Sequence, residues 1–134
     1  MYKKIDHIGI AVKSLETVKK FFSEVFGIKP DFEEIIDEQK VKVAGFKIGQ
    51  SHIEFLEPID SDSPIAKYLT KKGEGLHHVC LNVDDIEEVL SNMKSFGLDL
   101  IDHEPRIGVE GKKIAFIHPK SFFRVLLELS QDNI

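Results

Sequence analysis

One short pattern occurs twice in this 134-residue chain, and a chain that repeats itself over so few residues has few ways to fold. Ile5-Asp6-His7-Ile8-Gly9-Ile10-Ala11-Val12 stands near the start, and Leu76-His77-His78-Val79-Cys80-Leu81-Asn82-Val83 lies past the middle. Each is followed by an amphipathic helix pattern and later by a strand with one glutamate among apolar residues, Ile53-Glu54-Phe55-Leu56 and Leu127-Glu128-Leu129-Ser130. The histidines His7 and His78 are 71 positions apart and the glutamates 74, so the halves differ by a few residues of loop.

The segments between these landmarks repeat as well. Residues 5–12 are rich in Ile and Val and read as a strand. Ser14 offers an N-cap to a helix carrying Leu15, Val18, Phe21, Phe22 and Val25, which Gly27 ends. Strands are predicted near 29–36, 40–48 and 52–57. Ser63-Pro64 then opens a connecting helix that Gly73 closes. In the second half Asp85 and Glu88 form a capping-box pattern ahead of Ile86, Val89, Leu90 and Met93, and Gly97 stops that helix. Strands are predicted near 98–103, 112–117 and 123–130. Both halves read βαβββ, which predicts an α+β fold of two tandem βαβββ modules. Residues 1–134 are read as a single domain, with module one at about 1–60, the connecting helix at about 63–72 and module two at about 74–132.

Alternate side chains of a strand face opposite sides. In the first strand Ile8, Ile10 and Val12 make a bulky face, while His7 shares its face with Gly9 and Ala11. In the matching strand Val79, Leu81 and Val83 are bulky, and His78 lies with Cys80 and Asn82. Small neighbours leave room for an ion. Ile53 and Phe55 flank Glu54 on the opposite face, as Leu127 and Leu129 flank Glu128, and a carboxylate set in an apolar strand is costly unless a cation or donor satisfies it. Taken singly, a strand histidine is more often a structural hydrogen-bonding residue than a ligand. Two histidines and two glutamates at matching positions on matching faces are a different matter, and His7, Glu54, His78 and Glu128 are the predicted ligands of one divalent ion. Register with His7 selects His78 over His77, and a slip of one residue would exchange them. Two imidazoles and two carboxylates suit Zn²⁺, Co²⁺, Ni²⁺ or Mn²⁺ better than Ca²⁺. An ion so held could stabilise an enolate, and Glu128 is the candidate catalytic base.

Composition narrows the partners. A net charge of −5 argues against wrapping a nucleic-acid backbone, which needs an excess of Lys and Arg on one face. The single cysteine, Cys80, cannot form an internal disulfide and reads as a small buried strand residue. The apolar run after Met1-Tyr2-Lys3-Lys4 is broken by Asp6 and His7, so neither a signal-peptide core nor a membrane span is expected, and a cytoplasmic location is.

These residues resemble the vicinal oxygen chelate (glyoxalase/bleomycin resistance) superfamily and, within it, the methylmalonyl-CoA epimerases, along nearly the whole chain. The resemblance is carried by Ile5 to Val12, by Ile53-Glu54-Phe55-Leu56-Glu57-Pro58 and by Asp62-Ser63-Pro64-Ile65-Ala66. Gly75-Leu76-His77-His78-Val79, and Ile117-His118-Pro119-Lys120 followed by Val125-Leu126-Leu127-Glu128-Leu129, add to it. It implies a glyoxalase-like fold in which the two modules form one metal-centred curved sheet, a metal held by His7, Glu54, His78 and Glu128, and an isomerase that moves the proton at the carbon between a thioester and a carboxylate. It implies an acyl-CoA substrate and a homodimer. Where some of these epimerases place a second catalytic glutamate, the alignment falls near Val43, beside Lys42. Arg106, Lys112, Lys113, Lys120 and Arg124 could meet coenzyme A phosphates or the substrate carboxylate; for all but Lys120 an ordinary solvated surface is the better reading, and Lys120 is the candidate substrate-binding residue because it lies inside the recognisable segment. Two other readings use the same scaffold. One is a glyoxalase I type lactoylglutathione lyase, against which His118-Pro119-Lys120 replaces the turn many glyoxalases carry before the last ligand. The other is a non-catalytic small-molecule-binding member, against which all four ligand positions are filled.

Overall fold

The computed structural model describes residues 2–133. In chain order the elements are β1 (Tyr2–Ala11), α1 (Leu15–Phe21) continued by a π-helical turn (Phe22–Phe26), β2 (Phe32–Ile36), β3 (Val41–Ile48), β4 (Ser51–Pro58) and α2 (Pro64–Lys72). Then come β5 (Gly75–Val83), α3 (Ile86–Ser95), the short β6 (Arg106–Ile107), β7 (Lys113–Ile117) and β8 (Leu126–Gln131). They form two compact units. One comprises residues 8–77, and the other joins the segment ending at His7 to the segment beginning at His78.

In the unit of residues 8–77 the strand order is β2-β3-β4-β1, with β2–β3 and β3–β4 antiparallel. Period-2 alternation sends the two faces of these strands into two cores. Val12, Ala44, Phe46 and Phe55 pack on Leu15, Val18 and Phe22 of the first helix, whereas Ala11, Val41, Val43 and Leu56 pack on Ile65 of α2. Ser14 caps α1 by accepting from Thr17 N–H at 3.2 Å, and the Glu57 carboxylate takes the Leu15 N–H at 2.8 Å. The helix predicted to run unbroken to Gly27 instead widens into a π turn at Phe22. There Phe22 stacks on Phe46 with ring centres 4.0 Å apart, and Phe21 and Phe26 meet it edge to face. Gly27 closes the turn at φ +69°. The Ser63-Pro64 signal reads as expected: Ser63 is fully buried, and its Oγ accepts from Ile65 N–H at 3.2 Å.

In the other unit the order is β1-β5-β8-β7-β6, with β5 and β8 parallel and β7 antiparallel to β8. Asp85 caps α3 through Glu88 N–H, and Ile86, Val89 and Leu90 press onto Val83, Ala115, Ile117, Leu127 and Leu129. Fully burying side chains of this size contributes about 1.5–3 kcal/mol each, so this core decides whether β5 and β8 hold their register. Two predicted strands are shorter than their patterns. Residues 98–103 form no ladder beyond the bridge Leu100↔Ile117: Ile101 and Asp102 both donate their N–H to Phe116 C=O, and the Asp102 carboxylate takes the Phe116 N–H at 2.8 Å in place of a backbone partner. The strand predicted from 123 begins at Leu126, because Phe123 and Arg124 adopt φ of +54° and +71° in a turn closed by Arg124 N–H to Pro119 C=O at 2.7 Å.

Candidate metal centre

Three of the predicted ligands lie in the second of these units, and its strands bring them together. β5 and β8 pair in parallel with Cys80 opposite Glu128 and Val79 opposite Leu127, so His78, Cys80 and Glu128 share one face while Val83, Leu127 and Leu129 turn into the core. The end of β1 in this unit contributes His7. Its Nε2 lies 3.0 Å from His78 Nε2 and 3.3 Å from Glu128 Oε1, and the latter pair is 3.5 Å apart. Both imidazoles are buried, and the Glu128 side chain is 12% exposed. Three atoms so spaced can all lie within about 2.1 Å of one point, the usual bond length from imidazole nitrogen or carboxylate oxygen to a first-row divalent ion. The donor set and its spacing therefore fit a metal ion.

His77 takes another course. In the unit of residues 8–77 its ring meets Tyr68 edge to face, with centres 5.0 Å apart, and burial pushes its pKa down. Glu54 stands in that same unit on β4, partly buried and directly opposite Gly45 of β3. Ile53 and Phe55 on either side of it join the core under α1, as the alternation predicts. A side chain at Gly45 would overlap the Phe32 ring, so the face that carries Glu54 is partly walled by an aromatic. Val43, on the same strand as Gly45, is buried in the α2 core.

Asp6 is the site residue that sequence reasoning passed over. Its carboxylate accepts from His7 Nδ1 at 2.8 Å, and its side chain is 17% exposed. That hydrogen bond holds the Asp6 carboxyl below the usual range against the opposing effect of burial, and the charges of Lys112 and Lys4 act in the same direction. The available signal was its place one residue before a repeated histidine. Cys80 is fully buried, as expected, and its sulfur lies close to Asp6 and His7. Four of the five basic candidates face carboxylates: Lys120 pairs with Asp99 at 3.1 Å, Arg106 with Asp102 at 3.0 Å, Lys113 with Glu87 at 3.1 Å and Lys112 with Asp132 at 3.9 Å. Lys120 is the most exposed of these four side chains, and such surface pairs hold their partners weakly.

The chain belongs to the glyoxalase/bleomycin resistance protein/dioxygenase superfamily, whose sequence model matches residues 6–116. Its fold is the glyoxalase-like α+β fold. The structure of a Bacillus halodurans protein of unassigned activity superposes with a TM-score of 0.90 at 42% identity, covering 98% of this chain and 95% of the other. More specifically, the chain is similar to methylmalonyl-CoA epimerases. The mitochondrial epimerase of Bos taurus is 36% identical over 96% of this chain and 74% of its own length. The Streptomyces coelicolor epimerase, as a variant in complex with 2-nitronate-propionyl-CoA, superposes with a TM-score of 0.88 at 35% identity over 98% of this chain and 96% of that one.

Proposed function

We propose that this protein is a metal-dependent methylmalonyl-CoA epimerase, interconverting the two epimers by proton transfer at the carbon between thioester and carboxylate. The observation that carries the reading is the meeting of His7 Nε2, His78 Nε2 and Glu128 Oε1 within bonding reach of one point, on a chain similar to such epimerases over nearly its whole length. In this reading His7, His78, Glu128 and Glu54 hold a Zn²⁺, Co²⁺, Ni²⁺ or Mn²⁺ ion, which when bound supplies Lewis-acid stabilisation of negative charge on the substrate. Glu128 has a second task as the base that takes the α-proton. A carboxylate is a weak base, and it becomes adequate where the C–H it faces is acidified. The Glu128 side chain is only 12% exposed, so water competes poorly for that proton. A second acid, other than the four ligands, returns a proton to the opposite face of the enolate and gives the other epimer.

Lys120 is proposed to exchange Asp99 for a phosphate or carboxylate of the acyl-CoA. Among the described residues no helix is long and apolar enough to cross a membrane. A homodimer in the cytoplasm completes the proposal, and light scattering of the purified protein checks the assembly.

The experiment is solvent exchange. Protein loaded with Co²⁺ is expected to move deuterium from D₂O into the α-position of methylmalonyl-CoA and to leave the hemithioacetal of methylglyoxal and glutathione unchanged. Turnover of the hemithioacetal without exchange on the thioester would make the protein a lactoylglutathione lyase. Metal uptake with neither reaction would make it a binding module.

A further inference from the structure

We infer that Asp6 is a positioning residue for the metal centre: by accepting the His7 Nδ1 hydrogen it fixes which ring nitrogen of His7 is left bare to bind the ion. The inference rests on the metal-centre reading above and goes beyond it to a residue outside the ligand set.

A neutral imidazole carries one hydrogen, on either Nδ1 or Nε2, and only the bare nitrogen can bind a metal. Nothing in the β1 backbone chooses between them. The choice is made by what each nitrogen faces. His7 Nδ1 faces a carboxylate oxygen at 2.8 Å, the length of a charge-assisted N–H···O bond. An ionised carboxylate can only accept, so the hydrogen sits on Nδ1 and the lone pair on Nε2. Nε2 is the nitrogen aimed at His78 Nε2 and Glu128 Oε1, 3.0 Å and 3.3 Å away. Two ring nitrogens facing each other at 3.0 Å cannot both carry hydrogen, and an ion held by both needs both bare; Asp6 makes the His7 nitrogen so before any ion arrives. The same bond fixes the ring about its χ2 axis, so no ordering of His7 is needed on metal binding.

A rival use of the same atoms is a second cation between Asp6, His7 Nδ1 and Cys80, whose donor atoms also lie close together. That use requires Nδ1 to be bare, so the two readings predict opposite tautomers.

The test uses the full chain with ¹⁵N-labelled histidine. In the wild type, nitrogen shifts and couplings should place hydrogen on Nδ1 of His7 both without metal and with one equivalent of Zn²⁺. Asp6→Ala should lose that preference and weaken Co²⁺ binding about 10–100-fold. Asp6→Asn, whose amide oxygen still accepts, should lie between Asp6→Ala and the wild type. Co²⁺ affinity of folded Asp6→Ala within twofold of wild type would overturn the inference, as would a wild-type His7 with its hydrogen on Nε2. So would a second equivalent of Co²⁺ bearing a thiolate charge-transfer band that Cys80→Ala removes. Failure of the deuterium exchange with metal binding and the tautomer as stated would reject the epimerase and leave the Asp6 assignment standing.

Discussion

The two repeats set a histidine at the same point of a strand and then treat the residue before it differently. Before His7 stands Asp6, which hydrogen-bonds the ring it precedes. Before His78 stands His77, whose ring packs on Tyr68 instead. Duplication supplies matched donors, and it leaves each one's surroundings to change separately. The glutamates differ in the same sense: Glu128 lies 3.3 Å from His7 on a strand pinned by the α3 core, whereas Glu54 faces a glycine beneath an aromatic ring. Equal residue types at equivalent positions are not bound to equal tasks.

The largest expected effect separates the glutamates. If Glu128 is both ligand and base, Glu128→Gln lowers the rate of α-proton exchange by about 10²–10⁴. Glu54→Gln keeps a ligand oxygen and should stay within about tenfold of wild type. Matching losses in single-turnover exchange would mean that the two carboxylates share the proton transfer, and the functional contrast between the repeats would be gone.

The next effect concerns stability. Leu129→Ala in the α3 core and Phe46→Ala beneath α1 remove fully buried side chains. Urea unfolding should show losses of about 2–5 and 3–5 kcal/mol respectively. Because Leu129 follows Glu128 directly, only Leu129→Ala should also weaken Co²⁺ binding. Equal metal affinity in the two variants would show that the α3 core does not hold the site.

How much of this could be read in the chain depended on how local each cause was. The helix starts at Ser14, Ser63 and Asp85 were legible because one side chain and its own backbone make each cap. The π turn at Phe22 was not, because Phe46 and Phe55 come from distant strands. Residues 98–103 are predicted as a strand, yet Asp102 takes the Phe116 N–H that a ladder would have used. Phe123 and Arg124 carry no glycine to announce their positive φ.

At the site, small residues beside His7 and His78 disclosed the histidine faces, and the buried neighbours of Glu128 disclosed its own. Asp6 stayed hidden because strand alternation assigns adjacent residues to opposite faces, and that rule does not register a short side chain reaching back to its neighbour's ring. Lys120 was legible as a surface cation, and its partner Asp99, 21 residues earlier in the chain, was not.

Anomalous diffraction at the cobalt edge from Co²⁺-loaded crystals locates the ion itself. One strong peak is expected within about 2.3 Å of His7 Nε2, His78 Nε2 and Glu128 Oε1, with a Glu54 oxygen also bound. A peak elsewhere, or one touching His7 only through Nδ1, would contradict that arrangement.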